Sequence, residues 1–162
     1  MKITHALVPL IILLAIAGCG PGRPDDTAIP GITPRDVYQD LPNRGMALSE
    51  FWDHVTFRTS LGMEYEGIAY RLAIIGRNRS SVDSICATVE VLSPNADASQ
   101  GRRFLRRIAA VAYEGSNPDR VAQWISEHIN ERENRTVIGP VEYILYTPTN
   151  NSRELILHRA KP

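Results

Sequence analysis

The chain has 162 residues, 43% of them apolar, with 18 basic side chains against 18 acidic ones, 11 glycines, 11 prolines and two cysteines. That length suits one domain with an ordinary core, and the composition excludes a coiled coil, a collagen-like chain, a disulfide-stapled miniprotein and a wholly disordered tail. Zero net charge argues against a general nucleic-acid binder, which needs a basic excess to displace counterions from phosphate.

The first element in chain order is a leader. Lys2 supplies a short positive start, Ala6 to Ala17 is apolar apart from Pro9, and small residues follow at Ala17, Gly18 and Cys19. At about twelve residues the run falls short of the roughly 20 needed to span a bilayer. It fits the apolar region of an export signal, ending in small residues that a signal peptidase accepts. Ile16-Ala17-Gly18-Cys19 resembles the bacterial lipobox, an aliphatic residue and two small ones before a cysteine. The resemblance implies a bacterial lipoprotein: residues 1–18 are removed, the Cys19 sulfur forms a thioether to diacylglycerol, and the new amino group is acylated. Two or three acyl chains hold a protein on a membrane where one gives only marginal binding. Gly20 stands where an Asp commonly retains Gram-negative lipoproteins at the inner membrane. The expected place is therefore the cell envelope: the periplasmic side of an outer membrane, or the outer face of the cell membrane where there is only one.

Residues 19–35 read as a lipidated tether. Gly20-Pro21-Gly22-Arg23-Pro24, then Pro30-Gly31 and Pro34, deny it a regular helix or strand, and proline-rich spacers hold a domain off a surface. Ile29 and Ile32 are the residues through which it can pack along the domain. The domain proper is expected over 36–162. Thr33-Pro34-Arg35-Asp36 is a good helix start, with a cap residue, proline at the first helical position and an acid at the third. Leu48, Phe51, Trp52 and Val55 fall at helical spacing, although Val55-Thr56-Phe57 can equally open a strand.

From residue 63 the period shortens. Tyr65 to Ile75 and Val82 to Leu92, joined by a polar loop, read as a β-hairpin. Ile85, Ala87, Val89 and Val91 share its inner face, and Ser84, Cys86, Thr88 and Glu90 the outer. Two helices follow. Phe104, Leu105, Ile108, Val111 and Ala112 form the apolar arc of the first, with Arg102, Arg103, Arg106 and Arg107 opposite. Asn117-Pro118 opens the second, which should bury Val121, Trp124, Ile125, His128 and Ile129. Val137 to Thr147 and Glu154 to Arg159 make a last hairpin around turn formers 148–152. The expected fold is a two-layer α+β domain, an antiparallel sheet of four or five strands with helices on one face.

Signals for chemistry are sparse. With Cys19 committed to lipid, Cys86 is a lone thiol without a neighbouring base in sequence, and reads as a small strand residue. His54, His128 and His158 show no metal-ligand spacing, and His128 reads as a core histidine. Asp53-His54 near Ser49, and Glu64 with Glu66, form no constellation that sequence alone ties to catalysis or to a cation. No catalytic residue, metal site or cofactor is expected. The expected role is a noncatalytic binding or accessory subunit with a protein partner in the envelope. A carrier or sensor of a small ligand held between sheet and helices is the alternative, and an unrecognised enzyme the third reading. The four arginines are the candidate contact for an anionic partner, since arginine grips phosphate or carboxylate through two parallel hydrogen bonds.

Overall fold

Side chains alternating between two faces build the sheet of this structure. The computed structural model describes residues 27–39, 41 and 47–161. The leader, Cys19 and the tether up to Asp26 lie outside them, as do Pro42 to Gly45, where the first helix was expected to end.

Among the described residues seven strands form one sheet: β1 (Ala47–Trp52), β2 (Phe57–Tyr65), β3 (Ile68–Gly76), β4 (Ser84–Val91), β5 (Glu133–Ile138), β6 (Val141–Thr149) and β7 (Ser152–Arg159). They lie in the order β1-β2-β3-β4-β7-β6-β5, with every neighbouring pair antiparallel. The α+β class stands, but the sheet has seven strands rather than four or five. The extra strands have identifiable causes. Residues 48–55 form β1 and a turn instead of a helix, because their apolar side chains do not converge on the core. β2 is the strand that Val55-Thr56-Phe57 can open, running on to Tyr65, and Gly139-Pro140 splits the expected strand 137–147 into β5 and β6.

Two meanders, β1 to β4 and β5 to β7, are joined through the β4–β7 pair, where Ala87 lies opposite Leu155. One face of the sheet is apolar. Leu61, Ile68, Leu72, Ile74, Ile85, Ala87, Leu145, Leu155 and Leu157 bury their side chains there. At roughly 1.5–3 kcal/mol for each fully buried aliphatic, this face dominates the favourable side of folding. The inner and outer residues of β4 fall as the alternation predicts, with Ile85, Ala87 and Val89 buried and Ser84, Cys86, Thr88 and Glu90 half-buried on the other side.

Helices cover the apolar face. α1 (Pro34–Tyr38) begins at Thr33, whose amide and hydroxyl both donate to Asp36 Oδ2, at 2.8 and 2.7 Å. Those two bonds hold the exposed Asp36 carboxyl below its usual pKa. α2 (Ala98–Ala109) lies over β3, β4 and β7, and α3 (Pro118–His128) packs beside α2 and β5. α2 reaches β4 because Gly101 has no side chain: a Cβ there would lie 3.3 Å from Val89 Cβ. This helix ends at Ala109, so Val111 and Ala112 lie beyond the arc first drawn for it. Ile29 and Ile32, at 2% and 5% exposure, belong to the core. Packing therefore extends back into the segment read as tether.

Candidate functional site

The four arginines sit on α2, but not as one cluster. At about 100° per residue, Arg106 and Arg103 occupy the middle of the solvent-facing arc. Arg102 and Arg107 mark its two rims, toward the buried Ala109 and the buried Phe104. Arg103 bonds to Ser99 Oγ at 3.0 Å and approaches Asp97 Oδ2 at 3.7 Å, while Asp97 caps the helix through the Ser99 amide. Among the described residues Arg102, Arg106 and Arg107 have no ion-pair partner. Arg103 and Arg107 also overhang a groove of about 280 Å³ lined by Met63, Tyr65, Tyr70 and Phe104. Arg102 faces Arg153, whose guanidinium bonds the carbonyls of Ile129, Asn150 and Ser152 at 3.0, 3.1 and 2.9 Å. Burial and the repulsion of Arg102 lower the Arg153 pKa.

The remaining polar candidates are dispersed by the fold. Cys86 projects from the helix-free face of the sheet and donates to Glu154 Oε1 at 3.0 Å, with Ser60, Ala73 and Thr88 around it. Burial, then the Glu154 carboxylate, push its thiol up to about 12. A thiol held protonated is a poor nucleophile. In folded protein at pH 8 an alkylating reagent should therefore modify Cys86 at least about a hundredfold more slowly than in denatured protein. Peptide mass spectrometry after timed iodoacetamide exposure measures that ratio.

His128 is not a core histidine. It closes α3 half-exposed, with Nδ1 2.8 Å from Glu131 Oε1, while Asn134 joins Glu131 to the indole nitrogen of Trp124. His158 lies on the helix-free face, 3.4 Å from Glu142. Asp53 is occupied by its own turn: Oδ1 accepts the amides of Val55 and Thr56 at 3.1 and 2.6 Å, which lowers the carboxyl pKa. His54, with φ of 71°, is exposed in that turn, so Ser49, Asp53 and His54 are not assembled as a triad. Glu64 lies on β2, and Glu66 in the following turn accepts from Gln100 at 2.7 Å. Among the described residues no group of three His, Cys, Asp or Glu side chains could hold a metal ion. Among them, too, no helix is long and apolar enough to cross a membrane.

One feature escaped the sequence reading. The end of β1 and the β1–β2 turn carry exposed apolar side chains: Phe51 at 64%, Trp52 at 47% and Val55 at 75%. The β3–β4 loop lies against them, because Phe57 pairs with Gly76 in the β2–β3 register. From that loop Arg79 sits 5.5 Å above the Phe57 ring and 3.5 Å from Glu50, and Phe57 in turn meets Trp52 at 6.5 Å between ring centroids. The same loop holds the first described residues: Arg77 donates to Thr27 Oγ1 at 2.8 Å, and the Val82 carbonyl accepts from Ile29. The alternation of Phe57, Thr59, Leu61 and Met63 with Arg58, Ser60, Gly62 and Glu64 was the signal that could have revealed β2 and this turn. No family model, no curated protein and no solved structure matches the chain.

Proposed function

We propose that this chain is a lipid-anchored lipoprotein of the cell envelope, attached through Cys19, that works without catalysis as a binding or accessory subunit. Its contact for an anionic partner protein is the arginine face of α2. The supporting observation is that Arg102, Arg106 and Arg107 stand exposed without ion-pair partners among the described residues. Like charges at i and i+4 repel by a few tenths of a kcal/mol, so a surface of acidic groups brought against α2 relieves that repulsion while adding charge-assisted bonds.

The test has two readouts on protein purified from its native membrane. Mass spectrometry should find residues 1–18 absent and lipid on Cys19, and Cys19→Ser should leave the membrane fraction. The mature protein should retain acidic envelope proteins at low salt, and lose them when Arg102, Arg103, Arg106 and Arg107 are all changed to Gln. Salt-insensitive retention that is equal for both proteins removes the arginine contact. An intact Met1 removes the anchor.

The groove beneath Arg103 and Arg107 favours a second reading, a carrier of a small amphiphile with an acidic head. Its Met63, Tyr65, Tyr70 and Phe104 walls are largely apolar, and its polar groups lie at one rim.

A further inference from the structure

We propose that the β1–β2 turn is a membrane-docking tip, with Phe51, Trp52 and Val55 inserted among anionic lipid headgroups and Arg58 and Arg79 paired to the phosphates. The inference rests on the lipid anchor at Cys19. Among the described residues the turn is one of the few places where large apolar side chains stand in solvent. Its Asp53 carboxylate is folded back onto the Val55 and Thr56 amides, which leaves Val55 at the apex. Aromatic rings beside arginines suit the headgroup boundary, where the ring sits among acyl carbons and the guanidinium reaches phosphate.

What selects lipid over another occupant is where the tether arrives. Thr27 is bonded to Arg77, and Trp52 packs on Phe57 beneath Arg79, so the entry of the chain and the apolar tip share one short loop. Seven residues separate Cys19 from Thr27, and the eight steps between them, at 3.3–3.6 Å each, reach at most about 29 Å. The end of the sheet that carries the tip is therefore the end kept nearest the lipid. At this end, among the described residues, Arg58, Arg77, Arg79, Arg159 and Lys161 stand against Glu50, Asp53, Asp83 and Glu142, a slight basic excess.

The test uses the mature lipidated chain in vesicles of phosphatidylethanolamine and phosphatidylglycerol, with and without bromine on the acyl chains. Trp124 is buried, and the difference between wild type and Trp52→Phe isolates the Trp52 emission. That emission should shift to the blue and lose most of its intensity in brominated vesicles. Val55→Glu, at an exposed position, should restore it without detaching the protein. Trp52 left unquenched on a chain whose Cys19 carries lipid overturns the docking tip alone. A blue-shifted, unquenched Trp52 together with a doubled protein mass assigns the patch to a second copy and also overturns it. A Cys19 without lipid overturns this inference and the anchor together.

Discussion

Gly76→Ala is expected to lower the unfolding free energy by about 3 kcal/mol, the upper range for forcing a group into occupied space. A Cβ on Gly76 would overlap the Ser81 carbonyl oxygen and lie 2.8 Å from its carbon, both backbone atoms that cannot swing aside. The loop closes this tightly because the Ser81 hydroxyl accepts the Arg77 amide at 3.0 Å and the Asp83 amide returns to the Ile75 carbonyl at 2.7 Å. Relief of the clash would have to open that loop, which carries both Arg77 at Thr27 and Arg79 over Phe57. Thermal unfolding should show a loss of roughly 10 °C. Trp52 emission should also change, because its support moves. A variant as stable as wild type would mean that the loop stands farther from β3 than described.

The second large effect concerns a buried pair of phenols. The Tyr113 hydroxyl lies 2.9 Å from the Ile138 carbonyl and 2.8 Å from the Tyr143 hydroxyl. A carbonyl can only accept, so the single Tyr113 proton goes to Ile138 and Tyr143 donates to Tyr113. Tyr113→Phe therefore strands the Tyr143 donor, which is 0% exposed, and takes one donor from the Ile138 carbonyl. Tyr143→Phe leaves Tyr113 with its acceptor intact. With unsatisfied buried groups costing 1–3 kcal/mol each, the first change should cost about 2–4 kcal/mol and the second about 1. Urea unfolding of both variants tests the order, and equal losses would contradict this donor assignment. Burial raises both phenol pKa values above the ordinary 10, and Tyr143 is raised further by its bond to Tyr113. A raised folded-state value means that the folded state holds its proton more firmly. That contribution is complete below pH 10 and drains away as the pH climbs through the folded values. Tyr113→Phe should flatten the alkaline fall in stability.

The legible parts of this fold were those where one physical signal acts alone. Ile85, Ala87 and Val89 alternate cleanly, so β4 could be read with its faces. The proline and cap residues at Pro34 and Pro118 announced α1 and α3, and the arginine arc of α2 followed from 3.6-residue geometry. Signals failed where residues did not face the core. Leu48, Phe51, Trp52 and Val55 have the spacing of a helix, yet on β1 they point to both faces of an edge and into its turn, so their period reports no burial. On β2 the inward position is occupied by Thr59, which is 1% exposed, and the outward one by Gly62, which blurs the contrast. The candidate site divides the same way. Its arginines were visible in sequence, whereas the groove under Arg103 and the joint between Thr27 and Trp52 depend on strands far apart in the chain. Spacing within one element carries no information about such meetings.

The strand order has a consequence for how the chain reaches its fold. β7, the last strand in chain order, is central: it separates β4 from β6, and its partner Cys86 lies 68 positions upstream of Glu154. Until Arg159 is available, the β1–β4 meander ends in a bare β4 edge and the two halves of the apolar face remain apart. Closing that long interval is the slow, entropically costly step. A growing chain thus stays unfinished until residue 159 has been added, and this follows from the order in which the strands enter the sheet.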